Sequence, residues 1–466
     1  MKLRRRELLA MPFFVPGPRS TDARIDEVRV EFEDYRYRAP YKFGGREVDR
    51  VTLLNAHVRL STLAGKSAAG FAAMPLGNVW SFPAPDIPYD VTLDAMKTLA
   101  LKIAAVTRDF REYAHPLDVN YALEPEYRKA ADRTASGMAL PRPIPKLCTL
   151  VTASPVDAAI HDAFGRLHGR NSFTIAGKDF VRYDLAHYLN SEFAGEYLDS
   201  YILPKATARI QMYHSVGASD ILRAAAKKRI GDGLPESLEE WIPYNGVTAI
   251  KIKLNGSDLD WDVARVAAIE RVAAAAQRKR GVSAWIYSLD FNERCPNVQY
   301  LLDFERQLKG KAPAAFSRVQ YIEQPTARDL AANRRNTMFE AAKLRPVVID
   351  ESLTGLDALL LAREMGYTGV ALKACKGQSQ TLLMAAAAQK YKMFRCVQDL
   401  TCPGAALVHS VGIACHVPGV SALEANAREY VPAANRGWEK RYPGIFEVKD
   451  GWIRTDGLDG VGLCTS

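Results

Sequence analysis

The sequence predicts an α/β protein: a (β/α)8 barrel, or modified TIM barrel, preceded by an α+β capping domain. Eight short apolar runs alternate with alanine-rich amphipathic segments in the second half of the 466-residue chain, as parallel strands alternate with helices in a barrel. Charged residues stand at the carboxyl ends of these runs. The first part of the chain instead shows segments of alternating polarity followed by helices. In a chain of this length, the two patterns predict one large domain and one smaller domain.

Residues 1–25 form a basic arm ahead of the capping domain. The arm opens with MKLRRRELLAMPFFVPG, in which Arg5 and Arg6 precede a short apolar stretch, and it resembles a degenerate twin-arginine export signal. Pro12 and Pro16 interrupt that stretch, and no convincing small-residue cleavage site follows. We therefore expect a cytoplasmic protein, with export through a twin-arginine-type signal as the alternative. No run of about eighteen apolar residues occurs, so the sequence predicts no membrane span.

The composition is that of a soluble globular protein. Hydrophobic residues make up 48% and charged residues 25% of the chain. The net charge is +9, but five basic residues and one acidic residue lie within residues 1–20. No basic run with interleaved aromatic residues occurs elsewhere, so nucleic acid is not an expected partner. The seven cysteines form no CxxC pair, which argues against a zinc site and a disulfide framework.

The capping domain is predicted to span residues 26–150. Its first two segments, IDEVRVEFEDYRY and DRVTLLNAHVRLST, alternate apolar with polar residues, as half-exposed antiparallel strands do. Proline and glycine punctuate the intervening YRAPYKFGG, so this stretch is predicted to be a loop. Helices are predicted over residues 92–113 and 119–137.

The barrel domain is predicted to span residues 151–426. It opens with a helix in VTASPVDAAIHDAFGRLHG, whose amino terminus we predict near Ser154, with Pro155 and Asp157 in the first turn. Residues 217–243 form an unusually long connection, for which we predict an excursion over the barrel. The eight predicted strands cover residues 209–214, 248–254, 284–290, 319–323, 346–350, 369–374, 394–399 and 420–425.

Charged side chains end successive predicted strands, on the side where barrel enzymes place their chemistry. Asp290, Glu323 and Asp350 end three consecutive strands, in SLDFN, IEQP and IDES. Oxygen ligands that converge from three strands suit one hard divalent cation such as Mg²⁺. Lysines beside such a site predict acid–base chemistry next to the cation. The other charged residues at strand ends are Lys251, Lys253, Lys373, Asp399 and Glu424.

These motifs resemble those of the enolase superfamily, in particular its muconate lactonizing enzyme and mandelate racemase branches. The resemblance rests on the Lys-x-Lys of AIKIKL, the three acidic strand ends, the lysine of LKACKG, and a helix that stands where the family has its domain-linking helix. It covers roughly residues 26–430. It implies that residues 427–466 return to the capping domain, which closes over the mouth of the barrel.

The resemblance also implies a role for each strand-end residue. Asp290, Glu323 and Asp350 would be the ligands of one Mg²⁺ ion, Lys253 a proton-transfer base, and Lys373 a second base on the opposite face of the substrate. Lys251 lies two residues before Lys253 and points to the same face, where its positive charge would make that lysine a better base. Glu351 is a rival metal ligand, although strand alternation would send it to the other side.

The chain departs from the family pattern at the last two strands. Asp399, in RCVQDLT, stands where the mandelate racemase branch has a histidine, and SALEANAREY offers only Glu424 where a dipeptide epimerase would show an Asp-x-Asp. Asp399 and Glu424 are therefore candidates for substrate binding, with a barrel-end salt bridge as the alternative for Glu424. Trp80, in MPLGNVWSFP, falls where the family's capping loops contact substrate and is the third candidate; it would otherwise be a hydrophobic anchor.

The predicted function is the Mg²⁺-dependent removal of a proton α to a carboxylate, through an enediolate. Two lysines on opposite faces favour racemisation or epimerisation, because each lysine can take or return the proton on its own side. Cycloisomerisation, or dehydration by β-elimination, is the alternative, and a non-catalytic metal-binding barrel is the alternative of another class. The expected partners are a small-molecule carboxylate and further copies of the chain in a homo-oligomer, while the identity of the substrate stays open.

Overall fold

The computed structural model describes residues 17–224 and 229–465. Most of the predicted basic arm, including the twin-arginine-like segment, lies outside the described residues. None of the helices in these two ranges is long and apolar enough to cross a membrane.

The capping domain begins with a three-stranded antiparallel sheet in the order β1 (Ala23–Phe43), β2 (Arg46–Thr62) and β3 (Ser67–Pro75). The expected loop at YRAPYKFGG is wrong, because β1 runs on to Phe43 and the chain turns only at Gly44 and Gly45, both at positive φ. Pro40 is accommodated at a register shift between Arg36 and Tyr41, where the ladder needs no N–H donor from it.

Four helices follow the sheet: α1 (Asn78–Ser81), α2 (Tyr89–Arg108), α3 (Pro116–Gly137) and α4 (Lys146–His168). The two helices predicted over 92–113 and 119–137 correspond to α2 and α3. The predicted start of α4 near Ser154 is wrong by about two turns. Pro155 cannot donate to the carbonyl of Val151, but the Ser154 hydroxyl donates to that oxygen at 2.8 Å, so the helix continues through the proline.

Strand β3 packs against α4 with almost no space between the two backbones. A Cβ atom added at Gly70 would lie 2.3 Å from the nitrogen of Ala163 and 2.4 Å from the carbonyl oxygen of Ala159. The approach therefore requires glycine at this position of β3.

We expect Gly70→Ala to destabilise the protein by about 3 kcal/mol, since the new methyl group forces a strand and a helix apart. Thermal unfolding followed by circular dichroism measures the effect. Gly137→Ala is the matched control, because a Cβ atom there meets nothing within 4 Å. Equal melting temperatures for the two variants would contradict the close approach.

The barrel consists of eight parallel strands that close by pairing of the last strand with the first. Each coincides with one of the eight predicted strands, so the (β/α)8 fold is confirmed. The strands are β4 (Arg209–Val216), β5 (Ala249–Lys253), β6 (Ile286–Asp290), β7 (Val319–Glu323), β8 (Val347–Ile349), β9 (Gly369–Leu372), β10 (Phe394–Val397) and β11 (Leu423–Glu424).

Helices connect and surround these strands. They are α5 (Leu185–Tyr188), α6 (Leu238–Asn245), α7 (Leu259–Arg280), α8 (Val298–Lys311), α9 (Pro313–Arg318), α10 (Phe339–Ala342), α11 (Leu356–Glu364), α12 (Gln378–Lys390), α13 (Ala405–His416), α14 (Ala427–Tyr430), α15 (Trp438–Arg441) and α16 (Pro443–Phe446). Short 3-10 helices cover Ser172–Thr174, Ser191–Phe193, Leu198–Ser200, Ala374–Lys376 and Pro432–Asn435. The long connection predicted at 217–243 leads from β4 into α6, and its described part reaches the capping sheet, where the Arg38 guanidinium donates to Asp232 at 2.7 Å.

The carboxyl-terminal segment touches both parts of the molecule. Strand β12 (Trp452–Arg454) pairs antiparallel with β4 of the barrel. Further on, the Thr465 hydroxyl donates to the carbonyl of Phe71 in β3 at 2.6 Å, and the Leu463 amide donates to Asp162 of α4 at 2.7 Å. The predicted domain limits at residues 150 and 426 remain a prediction.

A buried network joins α4 to α12 of the barrel. The carboxylate of Asp157 accepts from the Ser379 amide at 2.8 Å and from the Ser379 hydroxyl at 2.7 Å. The His161 ring lies 2.8 Å from the same hydroxyl. Burial raises the pKa of Asp157 to about 6, although the hydrogen bonds from Ser379 oppose this shift.

This shift gives the stability of the protein a defined pH dependence. Between about pH 4 and about pH 6 the folded protein keeps a proton on Asp157 that the unfolded chain releases, so this carboxyl makes stability fall as the pH rises through that window. The Asp157→Asn variant cannot ionise at this position. As the pH rises through the window, its free energy of unfolding should therefore increase by about 3 kcal/mol relative to that of the wild type and then stay constant. Thermal unfolding of both proteins from about pH 4 to about pH 7.5 measures the difference, with exposed Asp132→Asn as control. A difference that is independent of pH would contradict the raised pKa.

Candidate active site

The predicted strand-end residues meet at one end of the barrel. In the parallel ladder Lys253 of β5 stands opposite Asp290 of β6, and Asp290 stands opposite Glu323 of β7. Glu323 pairs in turn with Val348 of β8, so Asp350 lies two residues beyond that register and just past the end of its strand. Residues paired in register point to the same side, which brings the lysine and the carboxylates together inside the barrel mouth.

Lys251 lies at the centre of this group and is fully buried. Its Nζ atom is 2.9 Å from Glu323 Oε1, 3.0 Å from Glu424 Oε2 and 3.1 Å from Asp290 Oδ2, and it donates to Gln398 Oε1 at 2.7 Å. Burial by itself lowers the pKa of Lys251, but the charges of Glu323, Glu424 and Asp290 raise it well above the usual range. Lys251 is therefore an internal ammonium ion held by three carboxylates.

Lys253 occupies the outer position of the same strand face. Its Nζ atom lies 2.5 Å from Asp290 Oδ2, while Asp290 Oδ1 accepts from the Asn292 amide at 2.8 Å. Burial tends to raise the pKa of Asp290, but the two lysine ammonium groups outweigh it and hold this pKa below its usual range. Asp290 is accordingly an anion in contact with both members of the Lys-x-Lys motif.

Lys373 reaches Asp350 from the other side of the mouth, with 2.8 Å between Nζ and Oδ2. Lys376 also contacts Asp350: its Nζ atom is 3.1 Å from Oδ1 and donates to the backbone oxygen at 2.5 Å. Burial opposes ionisation of Asp350, but Lys373 and Lys376 lower its pKa to about 2. Lys376 is absent from the predicted site because β9 ends at Leu372, and the 3-10 turn that follows brings Lys376 back to the mouth.

Glu323 stands between these two lysine-bound carboxylates. Its Oε1 atom accepts from Lys251, whereas its Oε2 atom is buried and has no hydrogen-bond partner among the described residues. Burial, followed by the negative charge of Asp290, raises the pKa of Glu323 well above its usual range. Its free oxygen is therefore a site for a proton or a cation.

Glu351 also lies in the site, and the expectation that it would point to the other side is wrong. Strand β8 ends at Ile349, so alternation along the strand does not extend to residue 351. The Glu351 Oε1 atom accepts from the Trp80 indole at 3.0 Å and from the Asn292 side chain at 3.2 Å. Burial, followed by the charge of Asp350, raises the pKa of Glu351 to about 7.

The donor set fits a hard divalent cation. Glu323 Oε2, Glu351 Oε2 and Asn292 Oδ1 are buried oxygens without a hydrogen-bond partner in the described ranges, and carboxylate and amide oxygens are the ligands that Mg²⁺ prefers. Within residues 17–224 and 229–465, however, no three carboxylate, histidine or cysteine side chains are arranged as a ready metal centre. The lysine ammonium groups lie among the carboxylates, so a cation would compete with them for these oxygens.

The last two strands form another wall of the cleft. Asp399 accepts from the amides of Thr401 at 2.5 Å, Cys402 at 3.3 Å and Asn426 at 3.3 Å. Burial, followed by the charge of Glu424, raises the pKa of Asp399 to about 7. Glu424 forms a barrel-end salt bridge with Lys251, which is the alternative that the sequence offers to a substrate contact. Glu424 also lines the cleft.

The capping domain roofs the cleft with aromatic and aliphatic side chains. Trp80 of α1 is 4% exposed, and its ring centroid lies 4.1 Å from Lys373 Nζ. Phe82, by contrast, is buried and does not line the cleft. The remaining large apolar side chains of the roof are Tyr37, Tyr41, Phe43, Val48, Val51, Leu76, Val79, Tyr89 and Leu93.

A family model described as "Enolase C-terminal domain-like" matches residues 233–465. The match begins in the connection before α6 and includes seven barrel strands and all the carboxylates and lysines of the candidate active site. No curated protein matches the chain by sequence.

Solved structures share the complete fold at low sequence identity. Muconate lactonizing enzyme from Pseudomonas fluorescens, complexed with muconolactone, is 16% identical with a TM-score of 0.60, and the alignment covers 95% of this chain and 96% of that one. A dipeptide epimerase from Enterococcus faecalis, complexed with Mg and L-Leu-L-Tyr, is 13% identical with a TM-score of 0.60 over 94% of this chain and 99% of that one. N-succinyl Arg/Lys racemase from Bacillus cereus is 15% identical, with a TM-score of 0.59 and coverage of 94% of both chains.

Proposed function

The chain belongs to the enolase superfamily, and from this membership we propose that it is a Mg²⁺-dependent racemase or epimerase that removes a proton α to a carboxylate. The observation that carries the proposal is the placement of Lys253 and Lys373. Lys253 is the last residue of the second of eight barrel strands and Lys373 directly follows the sixth, so the two lie on opposite sides of the mouth in the closed barrel. A substrate bound between them presents one face to each amine, and inversion at a carbon atom needs an acid–base group on each face.

Each lysine has a distinct part in the proposed reaction. Lys253 takes the α-proton from one face, and Lys373 delivers a proton to the opposite face; the reverse reaction exchanges these roles. Lys251 is fully buried and does not itself line the cleft; it holds Asp290, Glu323 and Glu424 in position.

Asp290, Glu323 and Asp350 would hold the metal ion. When bound, Mg²⁺ supplies positive charge that stabilises the developing enediolate. The buried oxygens of Glu351 and Asn292 would complete or support this ligand set. The capping domain excludes water from the reacting carbon, and its apolar roof supports a substrate that carries an apolar group beyond its carboxylate.

Cycloisomerisation or β-elimination of water is the second candidate. The observation that favours it is the environment of Lys373, which is 4% exposed, ion-paired with Asp350 and covered by Trp80. A lysine held in this way could supply only positive charge, and one acid–base lysine is sufficient for either of these reactions. Assembly into a homo-oligomer remains a prediction, which light scattering after gel filtration would measure.

The test is to incubate the protein with Mg²⁺ in D₂O against a pool of carboxylic acids, amino-acid derivatives and sugar acids, and to follow the pool by NMR and mass spectrometry. Deuterium incorporation with inversion and no other mass change supports a racemase or epimerase. Loss of water or ring closure identifies the second candidate instead. A pool that contains the substrates of all three reaction types and shows no exchange would contradict the proposal.

A further inference from the structure

Trp80 is attached to the barrel at three separate points. Its indole nitrogen donates to Glu351 at 3.0 Å, its ring covers the ammonium group of Lys373 at 4.1 Å, and its backbone carbonyl accepts from Arg328 at 3.1 Å. The first two contacts lie inside the proposed active site. The third comes from the loop after β7, and the proposed chemistry does not account for it.

Arg328 is held for this contact by Glu293. The guanidinium donates to both oxygens of Glu293, with Nη2 at 2.5 Å from Oε1 and Nε at 2.8 Å from Oε2, and the Arg328 amide donates to the same carboxylate at 2.9 Å. The paired geometry leaves Nη1 directed at the carbonyl of Trp80. Such a fork fixes the direction of a guanidinium in a way that a lysine cannot reproduce.

The backbone around this ion pair is held in an uncommon conformation. Asn292 and Glu293 have φ values of 42° and 62°, a region that residues other than glycine seldom occupy. These two consecutive residues lie one residue beyond the end of the strand that carries Asp290. Conformations of this type persist where surrounding contacts enforce them and are concentrated at functional sites.

We propose that Arg328 and Glu293 are positioning residues: they hold Trp80 against Lys373 and thereby keep this lysine directed at one face of the substrate. The proposal rests on the proposed function, because it assigns the pair to the Lys373 half of the reaction. Lys373 lies under the ring of Trp80, whereas Lys253 contacts Asp290 and lies 5.8 Å from the ring of Phe43. Loss of the latch, defined as Glu293, Arg328 and Trp80, should therefore affect one lysine and spare the other.

A purely structural tie between the two domains would have a different effect. Loss of such a tie would weaken the contact between the capping domain and the barrel as a whole. Proton exchange would then slow to the same extent for both stereoisomers of the substrate. The two roles are separated by measuring deuterium uptake for each stereoisomer of the substrate independently. Lys253→Ala and Lys373→Ala identify which stereoisomer each lysine serves.

We expect Arg328→Met to slow exchange of the Lys373-side stereoisomer by about tenfold or more, while the Lys253-side stereoisomer stays within about twofold of the wild type. Arg328→Lys keeps the charge without the fork and should show the same asymmetry to a smaller degree. Arg334→Met is the matched control, because that arginine forms only an exposed pair with Glu364. Equal losses for the two stereoisomers would overturn the positioning role.

A second measurement needs no substrate. In Arg328→Met, the backbone amides of the peptide that contains residues 76–82 should exchange about tenfold faster or more than in the wild type, as measured by mass spectrometry. The exchange rates of the barrel strands should stay the same. Unchanged protection of that peptide would overturn the latch itself. If the wild type exchanges no substrate while this peptide responds as expected, the proposed function fails and the contact between Arg328 and Trp80 stands.

Discussion

Replacement of Lys253 by alanine is expected to abolish α-proton exchange with solvent for the stereoisomer whose proton faces Lys253, by about a thousandfold or more, while Mg²⁺ affinity is kept or increased. The two effects have one cause. The Lys253 ammonium lies 2.5 Å from Asp290 Oδ2, so the substitution removes the base and also a competitor for a metal-ligand oxygen. Deuterium uptake measured by NMR and a calorimetric Mg²⁺ titration on the same preparation follow both quantities.

Two further variants separate charge from basicity at this position. Lys253→Arg keeps a positive charge beside Asp290 but cannot lose its proton at accessible pH, and it should be as inactive as the alanine variant. Lys309→Ala, on an exposed part of α8, should behave like the wild type. Wild-type exchange rates in Lys253→Ala would exclude this lysine as the base.

The second large effect is expected from Asp350→Asn, which should weaken Mg²⁺ binding by about a hundredfold or more, because the Asp350 carboxylate is proposed to contact the ion directly. The neighbouring Glu351→Gln, which removes a supporting charge, should weaken it by only about tenfold. Asp350 carries a charge held by Lys373 and Lys376, whereas burial raises the pKa of Glu351 to about 7. A cation that displaces the lysines from Asp350 meets a carboxylate that is already ionised.

Calorimetry with Mg²⁺ and electron paramagnetic resonance with Mn²⁺ measure this pair of affinities. Circular dichroism controls for folding, because Asp350→Asn leaves two buried lysines without their partner. If Glu351→Gln binds Mg²⁺ more weakly than Asp350→Asn does, Glu351 rather than Asp350 is the metal ligand. Similar affinities in both variants and the wild type would remove both residues from the metal site.

The barrel and its strand-end carboxylates were predictable because the relevant signals are local. Each strand is a short apolar run, and Asp290 and Glu323 are the last residues of β6 and β7. Residues paired in register along parallel strands point the same way, so position in the sequence is sufficient to bring them together.

The rest of the site depends on turns, to which strand alternation does not apply. Glu351 lies past the end of β8, Lys376 ends a 3-10 turn, and Glu293 adopts a positive φ. No short-range pattern places Arg328 beside Trp80, because 248 residues separate them along the chain. The extension of β1 beyond Pro40 was also hidden, since a register shift absorbs the proline.

The buried ammonium of Lys251 also bears on how the protein is assembled. Carboxylates from β6, β7 and β11 converge as the barrel closes, and without an opposite charge their mutual repulsion would oppose closure. The ammonium group of Lys251 on β5 supplies the opposite charge, so the counter-ion of these carboxylates is part of the chain itself. Folding therefore does not need a bound cation to neutralise these carboxylates, and under the proposed function a shortage of Mg²⁺ would lower the specific activity of the protein rather than its yield.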